Sequence, residues 1–293
     1  MLRIGMVGLD TSHAVEFTKL FRDETLTQEL AGARIVAAYP AGSDLPLSRD
    51  RVKGFTDQVA ALGVRIVDSL NTLIQCVDVV MLESVDGSVH LQQAIPILDA
   101  RKPLFIDKPL AHSVADMKKI EACSLANSVP CFSASSLRFS PDVASALNDV
   151  DLGTILGAST WGPCHLPEGF PDFYFYGIHG IEVLFQIMGS DCENVSCIRS
   201  EDTDLVRAQW ASGRVGTYRG IRNGSLEFGA TLFGSNQNRS VRIPVPYREL
   251  CIAIARFFHS GIAPVSLSET TKIYEFMDAA NRSHRQSGDA VCL

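Results

Sequence analysis

The sequence predicts an α/β protein with a doubly wound parallel sheet in its N-terminal part and an α+β domain with an open, mainly antiparallel sheet in its C-terminal part. Up to about residue 125, short apolar runs alternate with segments of helical spacing, which is typical of parallel strands covered by helices on both faces. Beyond that residue, runs of alternating apolar and polar residues are separated by glycines, which is typical of antiparallel hairpins. We therefore expect two domains, residues 1–125 and residues 126–293.

The first domain contains a regular series of strand and helix patterns. The predicted strands are Leu2–Val7, Arg34–Tyr39, Val64–Val67, Asp78–Leu82 and Pro103–Ile106. The predicted helices are His13–Arg22, Val52–Leu62, Leu70–Gln75, His90–Ala100 and a last one from Ser113 to about Ala126. Ser113 suits the N-cap of that last helix, because its hydroxyl can accept a hydrogen bond from the amide of Asp116.

The second domain has fewer clear signals. The predicted strands are Val129–Ser135, Thr154–Trp161, Asp204–Trp210 and Val215–Ile221. The predicted helices are Gly177–Met188, Tyr247–His259 and a last one from about Ser268 to Ser283.

Composition and charge exclude several classes of partner. The 293 residues carry a formal net charge of −7 without a basic run, so we expect no nucleic acid partner. No stretch of about 18 apolar residues occurs, and the N-terminus lacks the layout of a signal peptide, so we expect a cytoplasmic protein that does not enter a membrane. The eight cysteines include no C-x-x-C pair, which favours reduced thiols over disulfides or a zinc site.

The turn after the first strand departs from the glycine fingerprint of dinucleotide-binding folds. That fingerprint places glycine at the positions of Gly8, Asp10 and His13, and only Gly8 fits. A carboxylate about 4 Å from a phosphate would cost roughly 4 kcal/mol at an effective dielectric constant of about 20. A dinucleotide would therefore be displaced, held mainly elsewhere or absent. The other interpretation of the turn is that Asp10 or Ser12 caps the following helix.

The tip of the second strand leaves the type of cofactor open. The strand ends in Tyr39 and Pro40, so the acid that usually binds the adenosine ribose is missing, and Asp44 is the nearest candidate. Arg49 and Arg51 could suit a 2′-phosphate or could simply begin a solvated helix.

The segment Arg101–Ser113 contains the strongest candidate for a chemical group. Its apolar strand ends in Asp107 and Lys108, and ligands bind beyond the carboxyl ends of parallel strands. Lys108 would hold a positive charge over such a crevice, whereas the other interpretation is a surface lysine in a turn. The fourth strand runs into the polar segment Glu83–Val89, and His90 then opens a helix. This arrangement suits either the rim of a ligand site or a loop capped by Ser88.

The helix Gly177–Met188 offers a second candidate. His179, Glu182 and Gln186 share a stripe on its helical wheel. A histidine with a carboxylate one turn away can act as a general base, although the stripe is equally compatible with a solvent-exposed face. Aromatic residues in the preceding segment, residues 167–177, suit a sugar-binding cleft or a core.

These motifs together resemble the glucose–fructose oxidoreductase, inositol dehydrogenase and MocA (Gfo/Idh/MocA) family over essentially the whole chain. The similar segments, in chain order, are Asp78–Val80 with Ser84 and His90, Ala100–Ala111, Arg138–Phe139 with Pro141, Leu152–Gly153, His179–Glu182, Gly261, Pro264–Val265 and Glu269–Thr270. The sequence departs from the family pattern at Asp10, His13, Val85 and the tip of the second strand. It also has Phe175 where the family has an aspartate four residues before the histidine.

The resemblance implies a Rossmann-type nucleotide-binding domain, followed by an α/β domain for substrate binding and assembly into a homo-oligomer, a dimer or a tetramer. It implies NAD- or NADP-linked oxidation of a hydroxyl group on a carbohydrate-like or polyol-like small molecule. Lys108 would hold the substrate oxygen, and His179, with Glu182 as its carboxylate, would take the hydroxyl proton. The residues expected at the cofactor are Gly8, Asp10, Ser12, Ser84, His90, Asp107 and Lys108.

Other functions stay open at the level of sequence. One is a hydrolase or lyase that uses Lys108 and His179, and another is a non-enzymatic ligand-binding protein with weak or no dinucleotide binding. A metal site built from Asp10, His13, His90 or His179 is a further alternative, but the site that we expect contains no metal.

Overall fold

The computed structural model describes residues 1–293 and divides them into two compact units. The first comprises Met1–Ala134 and Tyr247–Thr270, and the second comprises Ser135–Pro246 and Thr271–Leu293. This division differs from the expected boundary at residue 125, because a sixth parallel strand follows that residue and a later helical segment returns to the first unit. Helical spacing indicates which face of a helix is buried but not which sheet it covers, so the sequence pattern does not reveal this return.

The first unit is built on a six-stranded parallel sheet. Its strands are β1 (Arg3–Val7), β2 (Arg34–Tyr39), β3 (Arg65–Ile66), β4 (Val79–Leu82), β5 (Leu104–Ile106) and β6 (Cys131–Ser133). All neighbouring strands are parallel, in the order β3-β2-β1-β4-β5-β6. The strand order reverses between β1 and β4, and open α/β sheets bind ligands beyond the carboxyl ends of their strands at such a point.

Helices follow most of these strands. They are α1 (Ser12–Arg22), α2 (Pro46–Ala61), α3 (Leu70–Cys76), α4 (His90–Asp99) and α5 (Val114–Asn127). Helix α2 begins well before the predicted Val52, because a proline in the first turn loses no helical hydrogen bond. The predicted cap of α5 is confirmed, since the Ser113 hydroxyl accepts a hydrogen bond from the Asp116 amide at 3.1 Å.

The second unit contains a seven-stranded mixed sheet that is mainly antiparallel, as predicted. It contains helices α6 (Pro141–Leu147) and α7 (Gly177–Met188), and its strands are β7 (Ile155–Pro163), β8 (Cys192–Arg199), β9 (Thr203–Trp210), β10 (Val215–Ile221), β11 (Phe228–Gly234), β12 (Asn238–Ile243) and β13 (Val291–Cys292). The order is β12-β11-β7-β10-β9-β8-β13, and β7 and β10 form its parallel pair. Helix α7 packs against these two central strands, which makes it the most buried helix of this unit.

Two further helices complete the chain, α8 (Tyr247–Ser260) and α9 (Leu267–Arg285). Helix α8 belongs to the first unit, where its Phe257 ring packs edge-on against Phe132 of β6 at 4.7 Å between ring centres. All eight cysteines are free thiols. None of the helices combines the length and the apolar character that crossing a bilayer requires.

Candidate active site

The carboxyl ends of β4 and β5 and the first turn of α1 bring together three potential ligand side chains, Glu83, Asp107 and His13. We call these residues the strand-end cluster. The Nδ1 atom of His13 lies 2.7 Å from Oδ2 of Asp107, and one ligand atom from each residue lies within 4.8 Å of those of the other two. Because parallel strands end at the same edge of the sheet, residues distant in sequence meet there. Asp107 was predicted at the cofactor, whereas Glu83 was predicted only as part of the polar segment that follows the fourth strand.

The two carboxyl groups of the cluster differ in their protonation. Burial, and then the negative charge of Asp107, raise the pKa of Glu83 well above its ordinary value. Burial also acts to raise the pKa of Asp107, but the attraction to His13 and the hydrogen bond with it hold this pKa below its ordinary value. The pKa of Glu83 is therefore shifted upwards and that of Asp107 downwards, so a proton shared by the pair favours Glu83.

Lys108 follows directly at the end of β5, where the sequence predicted it, and is partly buried. Its positive charge acts to lower the pKa of both Glu83 and Asp107, so its ammonium group lies within electrostatic reach of the strand-end cluster. The peptide bond between Lys108 and Pro109 is cis.

Asp10 does not cap a helix, and this corrects one interpretation of the sequence. Its carboxylate is fully buried and accepts two hydrogen bonds, from the Val85 amide at 2.9 Å and from the Ser48 hydroxyl at 2.6 Å. Burial raises the pKa of Asp10, while these two hydrogen bonds oppose that shift. Thr11 caps α1 instead, and Ser12 is exposed in its first turn. Asp10 therefore ties the turn after β1 to the loop after β4 and to α2.

Gly8 and His90 hold the neighbouring loops in place. Gly8 has a φ of +88°, and a Cβ atom there would lie 2.3 Å from the backbone nitrogen of Ser84. His90 is fully buried, with Nε2 at 2.7 Å from the Ser84 carbonyl oxygen and Nδ1 at 3.2 Å from that of Leu110. Burial lowers the pKa of His90. Through these contacts His90 joins the loop after β4 to the loop after β5.

A cavity of about 430 Å³ lies where β2 gives way to α2. Its lining residues are Pro40, Gly42, Ser43, Asp44, Ser48, Arg49, Val52, Val89 and Gln92. Both Asp44 and Arg49, the two charged candidates from the sequence, line this cavity, whereas Arg51 does not. The cavity therefore offers one carboxylate, that of Asp44, and one guanidinium, that of Arg49, to a ligand at the tip of β2.

In the second unit, Ser135 links the two predicted residues of α7. Its hydroxyl lies 2.6 Å from Nδ1 of His179, and its amide donates a hydrogen bond of 2.9 Å to Oε1 of Glu182. Both α7 residues are buried, so the stripe that they share is not a solvent face. Ser135 was missed because nothing in a serine at this point of the sequence indicates that it meets a helix more than 40 residues later.

Aromatic rings surround His179 within the second unit. The rings of Tyr176 and Phe228 lie edge-on to it, with centres at 5.8 and 5.6 Å. Phe175 packs against Phe170 and Tyr176, with ring centres at 4.8 and 5.0 Å. It therefore extends the aromatic surface that the Tyr176 ring begins.

The parallel sheet and the open mixed sheet define a Rossmann-type unit combined with an open-sheet unit. No family model and no curated protein matches the sequence, but solved structures match the fold. A scyllo-inositol dehydrogenase from Lactobacillus casei with bound NAD(H) and scyllo-inositol shares 17% identity, with a TM-score of 0.79 over 100% of this chain and 99% of that chain. The myo-inositol dehydrogenase from Lactobacillus casei, in complex with NAD(H) and myo-inositol, shares 16%, with a TM-score of 0.78 over 100% and 97%.

GenD2 from gentamicin A biosynthesis, in complex with NAD, shares 15% identity, with a TM-score of 0.80 over 100% of this chain and 96% of that chain. At these identities the likeness shows the fold. The fold that the family resemblance implied is thereby confirmed.

Proposed function

We propose that this protein is an oxidoreductase that uses NAD to oxidise a hydroxyl group on a sugar-like or polyol-like substrate. The observation that carries the proposal is the position of Lys108. It is a lysine at the carboxyl end of β5, next to a switch in strand order, in a fold shared with inositol dehydrogenases crystallised with NAD(H).

The first unit fits the adenosine half of such a cofactor. The cavity at the tip of β2 would take the adenosine, with Asp44 as the acceptor for its ribose hydroxyls. Gly8 keeps the tight turn that a bound pyrophosphate needs, since no side chain fits at its position. The charge of Asp10 opposes a phosphate, but two hydrogen bonds to its oxygens offset part of that charge. Asp44 favours NAD, because a carboxylate there would repel a 2′-phosphate.

The nicotinamide ring supplies the hydride acceptor when the cofactor is bound. In our proposal, the Lys108 ammonium holds the hydroxyl oxygen of the substrate and stabilises the negative charge that develops on it. His179 accepts the hydroxyl proton through Nε2. This requires the tautomer in which Nδ1–H donates to the Ser135 hydroxyl, and the Ser135 amide is itself fixed by Glu182. Ser135 and Glu182 are thus positioning residues, and Lys108 and His179 are the catalytic residues.

Nucleotide titration and turnover test the proposal. We expect NAD(H) to bind more tightly than NADP(H), and hydride transfer to be detectable with inositols or related polyols by absorbance of the reduced nicotinamide. We expect Lys108→Ala and His179→Ala each to lower kcat by about 10²–10⁴-fold while nucleotide affinity is retained. Lys119→Ala, an exposed lysine on α5 paired with Asp116, is the matched control and keeps full activity.

Two results would contradict this function. Millimolar or weaker affinity for all four nucleotides would exclude the redox reaction and leave the hydrolase, lyase and binding-protein interpretations. Unchanged turnover in both the Lys108 and the His179 variants would remove the site assignment even if a nucleotide binds.

We also propose that the open sheet of the second unit mediates a homo-oligomer, a dimer or a tetramer. Its exposed face carries four apolar side chains, Ile198, Leu205, Val215 and Phe233, which the strand pairing places on one side. They form two apolar pairs, Ile198 with Leu205 and Val215 with Phe233, which Arg207 and Arg219 separate. In our proposal these pairs supply the apolar part of an interface between copies of the chain. Sedimentation velocity should show an assembly that Leu205→Arg dissociates, and a monomeric wild-type protein would refute this proposal.

A further inference from the structure

We propose that the strand-end cluster, His13, Glu83 and Asp107, is a binding site for a divalent transition-metal ion. The three residues come from three separate segments, the start of α1 and the ends of β4 and β5, and converge on one point. They offer one imidazole nitrogen and two carboxylates, a donor set found in protein sites for zinc, manganese and iron.

The distances within the cluster suit a single ion. One ligand atom from each residue lies within 4.8 Å of the others. Nitrogen and oxygen ligands lie about 2.0–2.2 Å from zinc, so two ligands on opposite sides of an ion are about 4.2 Å apart and adjacent ones are closer. The three donor atoms therefore lie close to the spacing that a single ion requires.

The second observation is that Glu83 lacks any hydrogen-bond partner. Its side chain is fully buried, and neither carboxyl oxygen has a donor within reach. Buried polar groups in folded proteins are nearly always paired, and a buried carboxylate is costly unless a cation or a set of donors compensates it. One of its carboxyl oxygens lies within 4.8 Å of a ligand atom of Asp107 and of His13, so an ion in the cluster would supply the missing partner.

The charges of the cluster favour a divalent ion over a monovalent one. Glu83 and Asp107 together supply two negative charges when both are ionised, and Lys108 supplies one positive charge nearby. A divalent ion would place two positive charges between the two carboxylates.

Tyr247 supports His13 from the opposite side. Its hydroxyl lies 3.0 Å from Nε2 of His13, and the two rings meet edge-on with centres at 5.0 Å. A hydrogen bond to one ring nitrogen fixes the ring orientation and leaves the other nitrogen for the metal, as in most histidine–metal sites. Nε2–H would donate to Tyr247, so Nδ1, which faces Asp107, becomes the ligand atom. The side chain of His13 remains 12% exposed, which gives an ion a route to the cluster.

Metal titration of the chelator-treated protein tests the proposal. We expect isothermal titration calorimetry to show Zn²⁺ and Mn²⁺ binding with a stoichiometry of one and micromolar or tighter affinity. Glu83→Gln and His13→Gln should each weaken the affinity by about 100-fold or more, since each removes one of three ligands. Glutamine is isosteric with glutamic acid, and circular dichroism of the variant verifies its fold. Glu16→Gln, an exposed acid one turn along α1, is the matched control and should bind as the wild type does.

A spectroscopic measurement on the wild-type protein keeps the test independent of the variants. Pulsed electron paramagnetic resonance of the Mn²⁺-loaded protein should show coupling to an imidazole nitrogen, which the His13 variant loses. Absence of stoichiometric binding to the wild-type protein, or equal affinity of the Glu83 and Glu16 variants, would overturn the proposal. None of these measurements involves a nucleotide, so their failure is distinct from a failure of the proposed oxidoreductase function.

Discussion

Replacing Gly8 by alanine should destabilise the first unit through two separable effects. The residue has a φ of +88°, and the left-handed region costs an alanine about 1–2 kcal/mol. The added Cβ would also lie 2.3 Å from the Ser84 nitrogen and 2.4 Å from its hydroxyl oxygen, and such overpacking typically costs about 1–3 kcal/mol. We therefore expect a loss of about 2–5 kcal/mol in the free energy of unfolding.

Two other glycines of the same unit separate these effects. Gly32 has a φ of +68° but nothing within 4 Å of an added Cβ, so Gly32→Ala measures backbone strain without a clash. Gly54 lies inside α2 with free space around it, so Gly54→Ala should stabilise the helix by about 0.5–1 kcal/mol.

Thermal unfolding of the three variants measures the order of stability. For a domain of about 150–250 residues, 1 kcal/mol corresponds to about 2–4 °C, so Gly8→Ala should lower the melting temperature by about 4–20 °C. Gly32→Ala should lower it by much less, and Gly54→Ala should raise it slightly. If Gly8→Ala proves no less stable than Gly32→Ala, the close approach of the turn to Ser84 is not what constrains this position.

Three other predictions concern charge. Asp204 is a fully buried carboxylate that accepts hydrogen bonds from Arg199 and Arg222. Asp204→Asn should therefore lower the free energy of unfolding, measured with a chemical denaturant, by about 3–5 kcal/mol. A loss below about 1 kcal/mol would contradict the importance of this pairing. Burial lowers the pKa of His112 to about 4, so folding favours its neutral imidazole. The stability that this neutral ring contributes is present above pH 6.5, and up to about 3 kcal/mol of it is lost as the pH falls towards 4. His112→Gln should remove this part of the pH dependence of unfolding. Asp10→Asn should leave the melting temperature nearly unchanged, because the amide can satisfy both neighbours, whereas Asp10→Ala should lower stability by about 1–3 kcal/mol.

The sequence predicted those parts of the molecule that depend on local patterns. The alternation of apolar runs and helical segments identified the parallel sheet, and the position of Lys108 at the end of β5 followed from one strand and one turn. The Ser113 cap was predictable for the same reason, since an N-cap is recognised from the few residues around it.

Features that depend on long-range contacts could not be predicted in this way. The meeting of Glu83 with His13 depends on the order of strands in the sheet, and the link from Ser135 to His179 depends on tertiary packing. The capping role of Asp10 was mistaken because its spacing from α1 suits a cap equally well. Its carboxylate turns instead towards the Val85 amide, which lies 75 positions further along the chain.

The return of α8 to the first unit has a consequence for how the chain folds during synthesis. All six strands of the Rossmann-type sheet lie in the first 134 residues, but the unit is complete only with Tyr247–Thr270. A growing chain therefore emerges from the ribosome with one flank of this sheet uncovered, including the face of Phe132 that Phe257 later packs against. The segment Tyr247–Thr270, which completes the first unit, is translated after nearly the entire second sheet. The first unit therefore begins to be synthesised first but can be completed only late.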